Sequence, residues 1–309
     1  MPVTRPKDHC GVFGIYGHPE AVELTYVSLF AQQHRGQEAA GICSSNGNTL
    51  TRYAATGLVS EVFNSQRLKQ LANPHAIGHV RYSTTGSPNV VNAQPMLVNY
   101  HQGQLGVCHN GNIVNAGLLR ERYEQEGRIF QTSSDTEVIV HLLADPEHMR
   151  MADPLGHCLT HLQGAFSLLI MSPDKIQAAR DPYGIRPLAV GQLGNGVWCV
   201  ASETGAFDVI GARYVRDVKP GEIVTIDKTG LHSRFYVDPQ HYNPAHCIFE
   251  MVDFADPSSN VSEQNVHLAR VAMGRKLARE ATDDADMVTA VPTCARCPAI
   301  RYRPERQIT

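Results

Sequence analysis

Residues 165–171 read AFSLLIM. Seven consecutive positions without a charge leave neither face of an extended segment suited to water. The run therefore predicts a central strand covered on both sides. A sheet sheathed twice needs further strands beside it and helices over it. Residues 197–202 (VWCVAS) and 221–227 (GEIVTID) are strand candidates, separated by the turn signals DPYG at 181–184 and KPG at 219–221. Helices are expected over 19–33, with Val22, Leu24, Val27 and Phe30 apolar, and over 113–125, with Leu118 and Leu119. A third is expected over 136–143, directly after the N-cap pair Ser134-Asp135. Clusters of strands with a few helices imply a layered α+β sandwich.

The chain has 309 residues, a length that suggests about two domains. With 27 Lys+Arg against 30 Asp+Glu, it is nearly neutral, which argues against a general nucleic-acid or anionic-membrane binder. No stretch approaches the ~18 apolar residues of a membrane-spanning helix. The opening MPVTRPKDHC lacks a signal-peptide core, so a cytoplasmic location is expected. The eight cysteines are scattered, a pattern better suited to reactive or metal-bound thiols than to disulfides.

Charge and pattern change toward the end. Residues 236–261 read as a connector, 261–280 as an amphipathic helix with Val266, Val271 and Leu277 on one side, and 286–292 as the start of a buried strand. Residues 291–309 hold four Arg against one Glu, or +3, whereas the preceding residues carry 23 bases against 29 acids, or -6. With two Pro, two Cys and no period, 293–309 is expected to be a disordered end.

Cys10 stands at the start of a strand-like run, CGVFGI, after nine polar, Pro-containing residues. A lone cysteine so placed is most often a core residue. If residues 1–9 were removed, however, Cys10 would carry a free α-amine with an ordinary pKa of about 7.7–8.0. That amine could serve as base for its own thiol.

Six further segments follow in order: QHRGQE at 33–38, GHVRYST at 78–84, NAQP at 92–95, HNG at 109–111, SSDTE at 133–137 and DPYGIRPL at 181–188, with ASET at 201–204. Together with the Cys10 segment they resemble the glutaminase domain of the class II glutamine amidotransferases. CIFE at 247–250 and FADPSS at 254–259 make the chain similar in particular to the amidophosphoribosyltransferase family of purine synthesis. The leader before the cysteine resembles that family's iron–sulfur subgroup.

The resemblance implies a four-layer α/β/β/α N-terminal-nucleophile sandwich over 10–235, freed by removal of 1–9. It implies that Cys10 attacks the glutamine side-chain amide, with the Asn110 side chain and the Gly111 N–H stabilising the oxyanion. Arg81 would grip the substrate α-carboxylate as a planar fork, and Asp135 the α-ammonium. Arg35 and Gly36 would lie on the loop that closes over glutamine, and Tyr82, Ser83 and Thr84 would line the pocket. Histidines 34, 79 and 109 lie inside these motifs without metal-ligand spacing. Cys247 matches a family [4Fe-4S] ligand, although the other three ligands lie beyond residue 309. Cys294 and Cys297 do not occupy those positions.

The same likeness implies phosphoribosyl pyrophosphate and Mg²⁺ at a second domain, and a homotetramer. It ends at Pro292, so 236–292 is expected to be a connector and the start of an incomplete phosphoribosyltransferase domain. A reading-frame slip with early termination would produce such an end. On that expectation the chain retains at most glutamine hydrolysis. The alternatives are a glutaminase supplying ammonia to another synthase, or an inactive fragment that binds other subunits.

Overall fold

The computed structural model describes residues 10–82, 90–281, 284–291 and 295–308. Its first six strands are β1 (Gly11–Tyr16), β2 (Ala39–Ser45), β3 (Leu50–Thr56), β4 (His75–Arg81), β5 (Met96–Tyr100) and β6 (Gly103–Ile113). The next seven are β7 (Gly164–Ser172), β8 (Lys175–Arg180), β9 (Ala189–Gln192), β10 (Trp198–Ala201), β11 (Arg213–Asp217), β12 (Glu222–Asp227) and β13 (Gly230–Phe235). They form two antiparallel sheets, ordered β11-β9-β10-β1-β4-β2-β3 and β13-β12-β8-β7-β6-β5.

Alternation along the strands decides which layer each residue enters. Val12, Cys43 and Ile77 of the first sheet meet Cys108, Leu169 and Met171 of the second in a core between the sheets. Their neighbours Phe13, Ile15 and Ile42 point the other way, beneath α1 (Ala21–Ala31), α2 (Val59–Val62) and α3 (Ser65–Leu71). On the far side, Val107, Phe166, Leu168 and Ile170 pack under a second helical layer. That layer comprises α4 (Ala116–Gln125), α5 (Thr136–Leu143), α6 (Pro146–Met149) and α7 (Pro154–Thr160). The short α8 (Gly205–Asp208) joins the first layer through Phe207. Three cores between four layers make the α/β/β/α sandwich. The run at 165–171 is its central strand β7, apolar on both faces because cores lie on both sides.

Several helical faces differ from those the sequence suggested. In α1 the buried side is Ala21, Val22, Thr25, Ser28 and Leu29, while Val27 and Phe30 are exposed. Small polar residues fill the close contact with the sheet, which a search for large apolar residues overlooks. Ile113 ends strand β6, so α4 begins only at Ala116, and Leu118 faces solvent. The cap reading holds for Ser134, whose hydroxyl accepts from Thr136 N at 3.2 Å, whereas the Asp135 carboxylate makes no cap bond.

Beyond β13 the connector turns back to the sandwich. A π-helical turn, Glu250–Phe254, leads to α9 (Val266–Glu280). Met251, Ala255, Val261 and Val266 make a small core. The buried side of α9 is Val266, Arg270, Gly274 and Ala278, whereas Leu277 is exposed. Residues 284–291 form no strand and are mostly exposed. Where an aperiodic end was expected, α10 (Arg296–Arg306) is helical and packs on α9. A Cβ at Gly274 would stand 2.1 Å from the Pro298 carbonyl oxygen, so the missing side chain is what lets α10 approach. Among the described residues, no helix is long and apolar enough to cross a membrane.

Candidate active site

The Cys10 side chain lies where β1 begins, beside the end of β4, because Gly11 pairs with Val80. It is 8% exposed. Its Sγ donates to the Tyr82 carbonyl oxygen at 3.6 Å and accepts from the Tyr82 N–H at 3.5 Å. Burial pushes the thiol up to about 11, against the opposing pull of the Tyr82 backbone, Arg81 and Arg35. In this state the sulfur is a protonated, unreactive thiol.

Asn110 and Gly111 sit on β6, across from Ser167 and Phe166 of β7. The fully buried Asn110 amide donates to Ser202 Oγ at 3.4 Å, and the same hydroxyl accepts from Val12 N at 3.0 Å. Ser202 thus ties Asn110 to the strand that carries Cys10. Gly111 has φ +151°, and a Cβ there would lie 1.9 Å from the Ala165 carbonyl oxygen. Only glycine fits this position.

Arg81 ends β4, buried, with Nη1 donating to Glu38 Oε1 at 2.9 Å. Gly36 lies against it: a Cβ at Gly36 would come within 2.6 Å of the Arg81 backbone. Asp135 precedes α5 and accepts from Ile113 N at 3.0 Å. Burial works against ionisation of its carboxyl, yet His109 and the amides of Ile113 and Thr136 outweigh it and hold the pKa below the ordinary value. The charge of Arg81 lowers and that of Asp135 raises the Cys10 thiol pKa, both less than burial does. Tyr82 contributes backbone, with its side chain part-exposed. Ser83 and Thr84 lie outside the described residues, as do residues 1–9 and Cys294.

Arg35 is placed differently from a residue that closes over substrate. It is fully buried. Its Nε donates to the Cys10 carbonyl oxygen at 2.9 Å, Nη1 to Glu203 Oε1 at 2.5 Å and to Glu250 Oε2 at 2.9 Å, and Nη2 to Glu250 Oε1 at 2.8 Å. Burial alone would favour the neutral base, but Glu250 and Glu203 reverse that and raise its pKa. Burial likewise opposes the Glu203 carboxylate, and Arg35 and His34 hold its pKa well below the ordinary value. Sequence reasoning assigned no role to Glu38, Glu203 or Glu250. A signal existed at Glu250, a carboxylate inside the apolar stretch Ile248-Phe249-Glu250-Met251-Val252, where a buried charge requires a partner.

The motif histidines are each engaged within the protein. His34 Nε2 meets Glu203 at 2.9 Å, His79 Nε2 meets the His109 carbonyl oxygen at 3.0 Å, and His109 Nδ1 meets Thr136 Oγ1 at 3.2 Å. Burial pushes His79 down to about 3, so it stays neutral. Cys247 is half-buried near Ile185 and is a free thiol. Among the described residues it joins no group of three or more side chains close enough to hold a metal ion. Among the described residues, no set of four thiolates stands around Cys247.

The family described as "Glutamine amidotransferase domain" matches residues 79–209, which span Arg81, Asn110, Gly111 and Asp135. The amidophosphoribosyltransferase of Bacillus subtilis (strain 168) is 44% identical over 297 residues, covering 96% of this chain and 62% of its own length. The chloroplastic amidophosphoribosyltransferase 1 of Arabidopsis thaliana is 46% identical, over 96% of this chain and 52% of its own. A solved structure described as the allosteric regulatory enzyme of purine biosynthesis superposes with TM-score 0.92 at 44% identity, covering 97% of this chain and 64% of that one. Over almost its whole length the chain is similar to these amidophosphoribosyltransferases. The homologue from B. subtilis solved with ADP and GMP agrees equally well, with TM-score 0.90 at 43% identity. The chain spans about half to two thirds of the length of these amidophosphoribosyltransferases. The likeness runs through the connector as well as the sandwich, since almost all of this chain is matched.

Proposed function

We propose that this chain hydrolyses the side-chain amide of glutamine through a thioester on Cys10. The observation that supports the reading is the Cys10 thiol held against the Tyr82 backbone at the mouth of β1 and β4, the strand ends to which Ser202 ties Asn110 through Val12. The high thiol pKa calls for a base, and removal of residues 1–9 supplies one in the Cys10 α-amine, which titrates near neutrality. The amine takes the thiol proton and Sγ attacks the amide carbon. Negative charge gathers on the former carbonyl oxygen, facing the Asn110 amide and the Gly111 N–H. The C–N bond then breaks, and the nitrogen leaves as ammonia with the proton returned from the amine. Water attacks the thioester, releasing glutamate and restoring the thiol. Arg81 and Asp135 hold the substrate's α-carboxylate and α-ammonium. Arg35 touches no substrate in this reading: it fixes the Cys10 carbonyl and so the direction of the nucleophile.

The ammonia is destined for phosphoribosyl pyrophosphate, the co-substrate named for the B. subtilis relative. Mg²⁺, a homo-oligomer and a cytoplasmic setting belong to that wider proposal, and no residue described above is assigned to them.

The test is an intact mass before and after exposure to a glutamine-analogue affinity label, with glutamate release assayed in parallel. Loss of residues 1–9, one added label and glutaminase activity are expected, all label and activity vanishing in Cys10→Ala. A matured chain that takes no label, or a Cys10→Ala variant that still takes it, would refute the reading.

A further inference from the structure

We propose that the corner formed by α6 and α7 is a three-histidine site for a divalent transition metal of the zinc class. His148, His157 and His161 come from two short helices and the residue after the second. Their ring centroids stand 4.9, 4.8 and 4.8 Å apart, close to an equilateral triangle. One nitrogen from each lies within 4.8 Å of the other two. His157 lies on α7 and His161, its C-cap residue, follows four positions later in helical backbone conformation, so both fall on one face. His148 reaches the same point from the end of α6.

The second nitrogens make the case more specific. His148 Nδ1 lies 3.0 Å from the Leu142 carbonyl oxygen, and His161 Nδ1 lies 2.9 Å from the His157 carbonyl oxygen. A carbonyl oxygen only accepts, so each Nδ1 carries the proton and each Nε2 keeps its lone pair. This is the arrangement in which metal-bound histidines are usually held, with the far ring nitrogen donating to a carbonyl or carboxylate. His148 is buried while His157 and His161 are half-buried, which leaves an approach from solvent. Small rotations of the two outer rings would bring the nitrogens to the metal–nitrogen distance of about 2.0–2.1 Å. Cys158 is close, with Sγ 3.5 Å from His148 Nδ1, but it donates to the Leu142 carbonyl oxygen and burial pushes its thiol up to about 12. The donor set is therefore three imidazoles. This site is separate from Cys10, and its test does not depend on glutamine hydrolysis.

The full chain, stripped with a chelator and dialysed, should be titrated with Zn²⁺ against a chromogenic competitor, and with Co²⁺ followed by its visible absorption. One equivalent is expected to bind, with weak d–d bands and no intense sulfur-to-metal charge transfer. His157→Gln and His161→Gln should each weaken Zn²⁺ at least about tenfold, and the double variant should lose the site while keeping its far-ultraviolet circular dichroism. Because His157 and His161 are half-buried at the surface, these variants are expected to fold; loss of the circular dichroism is answered by repeating the titration with His157→Asn alone. The proposal is overturned if the wild type binds no ion, if the double variant binds as tightly, or if Co²⁺ shows thiolate charge transfer.

Discussion

Arg35 joins the start of β1 to two distant carboxylates through a single side chain. Its guanidinium is surrounded by the Cys10 carbonyl and two carboxylates, all out of water. Replacing it by Ala removes the guanidinium that both buried carboxylates bind, leaving Glu203 with His34 and Glu250 with Arg186 at 3.6 Å. A loss of about 3–5 kcal/mol is expected, read from urea denaturation. Arg35→Lys keeps the charge but not the fork, and should recover only part of that loss. Acid should act through the same cluster. Glu203 titrates far below its ordinary value of 4.5, so its stabilising contribution is present above that value and is lost as the pH falls below it. Thermal melts of the wild type from pH 7 to pH 3 should drop steeply on the acid side, and Glu203→Gln, less stable at pH 7, should give a shallower acid limb. Equal acid slopes for the two proteins would count against this assignment.

At the scale of elements, the strands were the most legible part of the sequence. Residues 165–171, 197–202 and 221–227 became β7, β10 and β12 because a run apolar on both faces has few alternatives when cores lie on both sides. Of the motif residues, Asn110 is tied through Ser202 to Val12 of the strand that begins beside Cys10. Helical faces were less legible. α1 and α9 bury Thr25, Ser28, Arg270 and Gly274, residues that a hydrophobic pattern does not count as core. The carboxylates that hold Arg35 were hidden for another reason, since they are 168 and 215 residues away along the chain. Likewise α10 has no sequence period because its docking rests on Gly274 and on polar ties such as Arg279 to Glu305 at 2.9 Å. Gly274→Val should therefore push α10 away from α9. Trypsin should then cut at Arg296, Arg301 and Arg306 at least several-fold faster, read by mass spectrometry, with glutamine hydrolysis unchanged.

At the scale of the molecule, the sandwich closes with β13, yet the active site does not. The connector returns Glu250 to Arg35, and Glu203 Oε2 accepts from Asp256 N and from Ser259 Oγ, both at 2.9 Å. A chain ended after Phe235 should keep the three cores of the sandwich but melt lower than one ended after Val291. It should also hydrolyse glutamine more slowly, because Arg35 has lost one of its two counter-charges. Equal melting and equal rates for the two lengths would show that the connector is only attached. Glu203 is the junction of this arrangement: one oxygen answers to Arg35 and His34 near the nucleophile, the other to the backbone and hydroxyl of a segment more than fifty residues later. A residue bound to two masters leaves lineages little freedom. Drift at position 203, 35 or 250 has no single-step compensation, so these positions are expected to be inherited as a set, changing together or not at all.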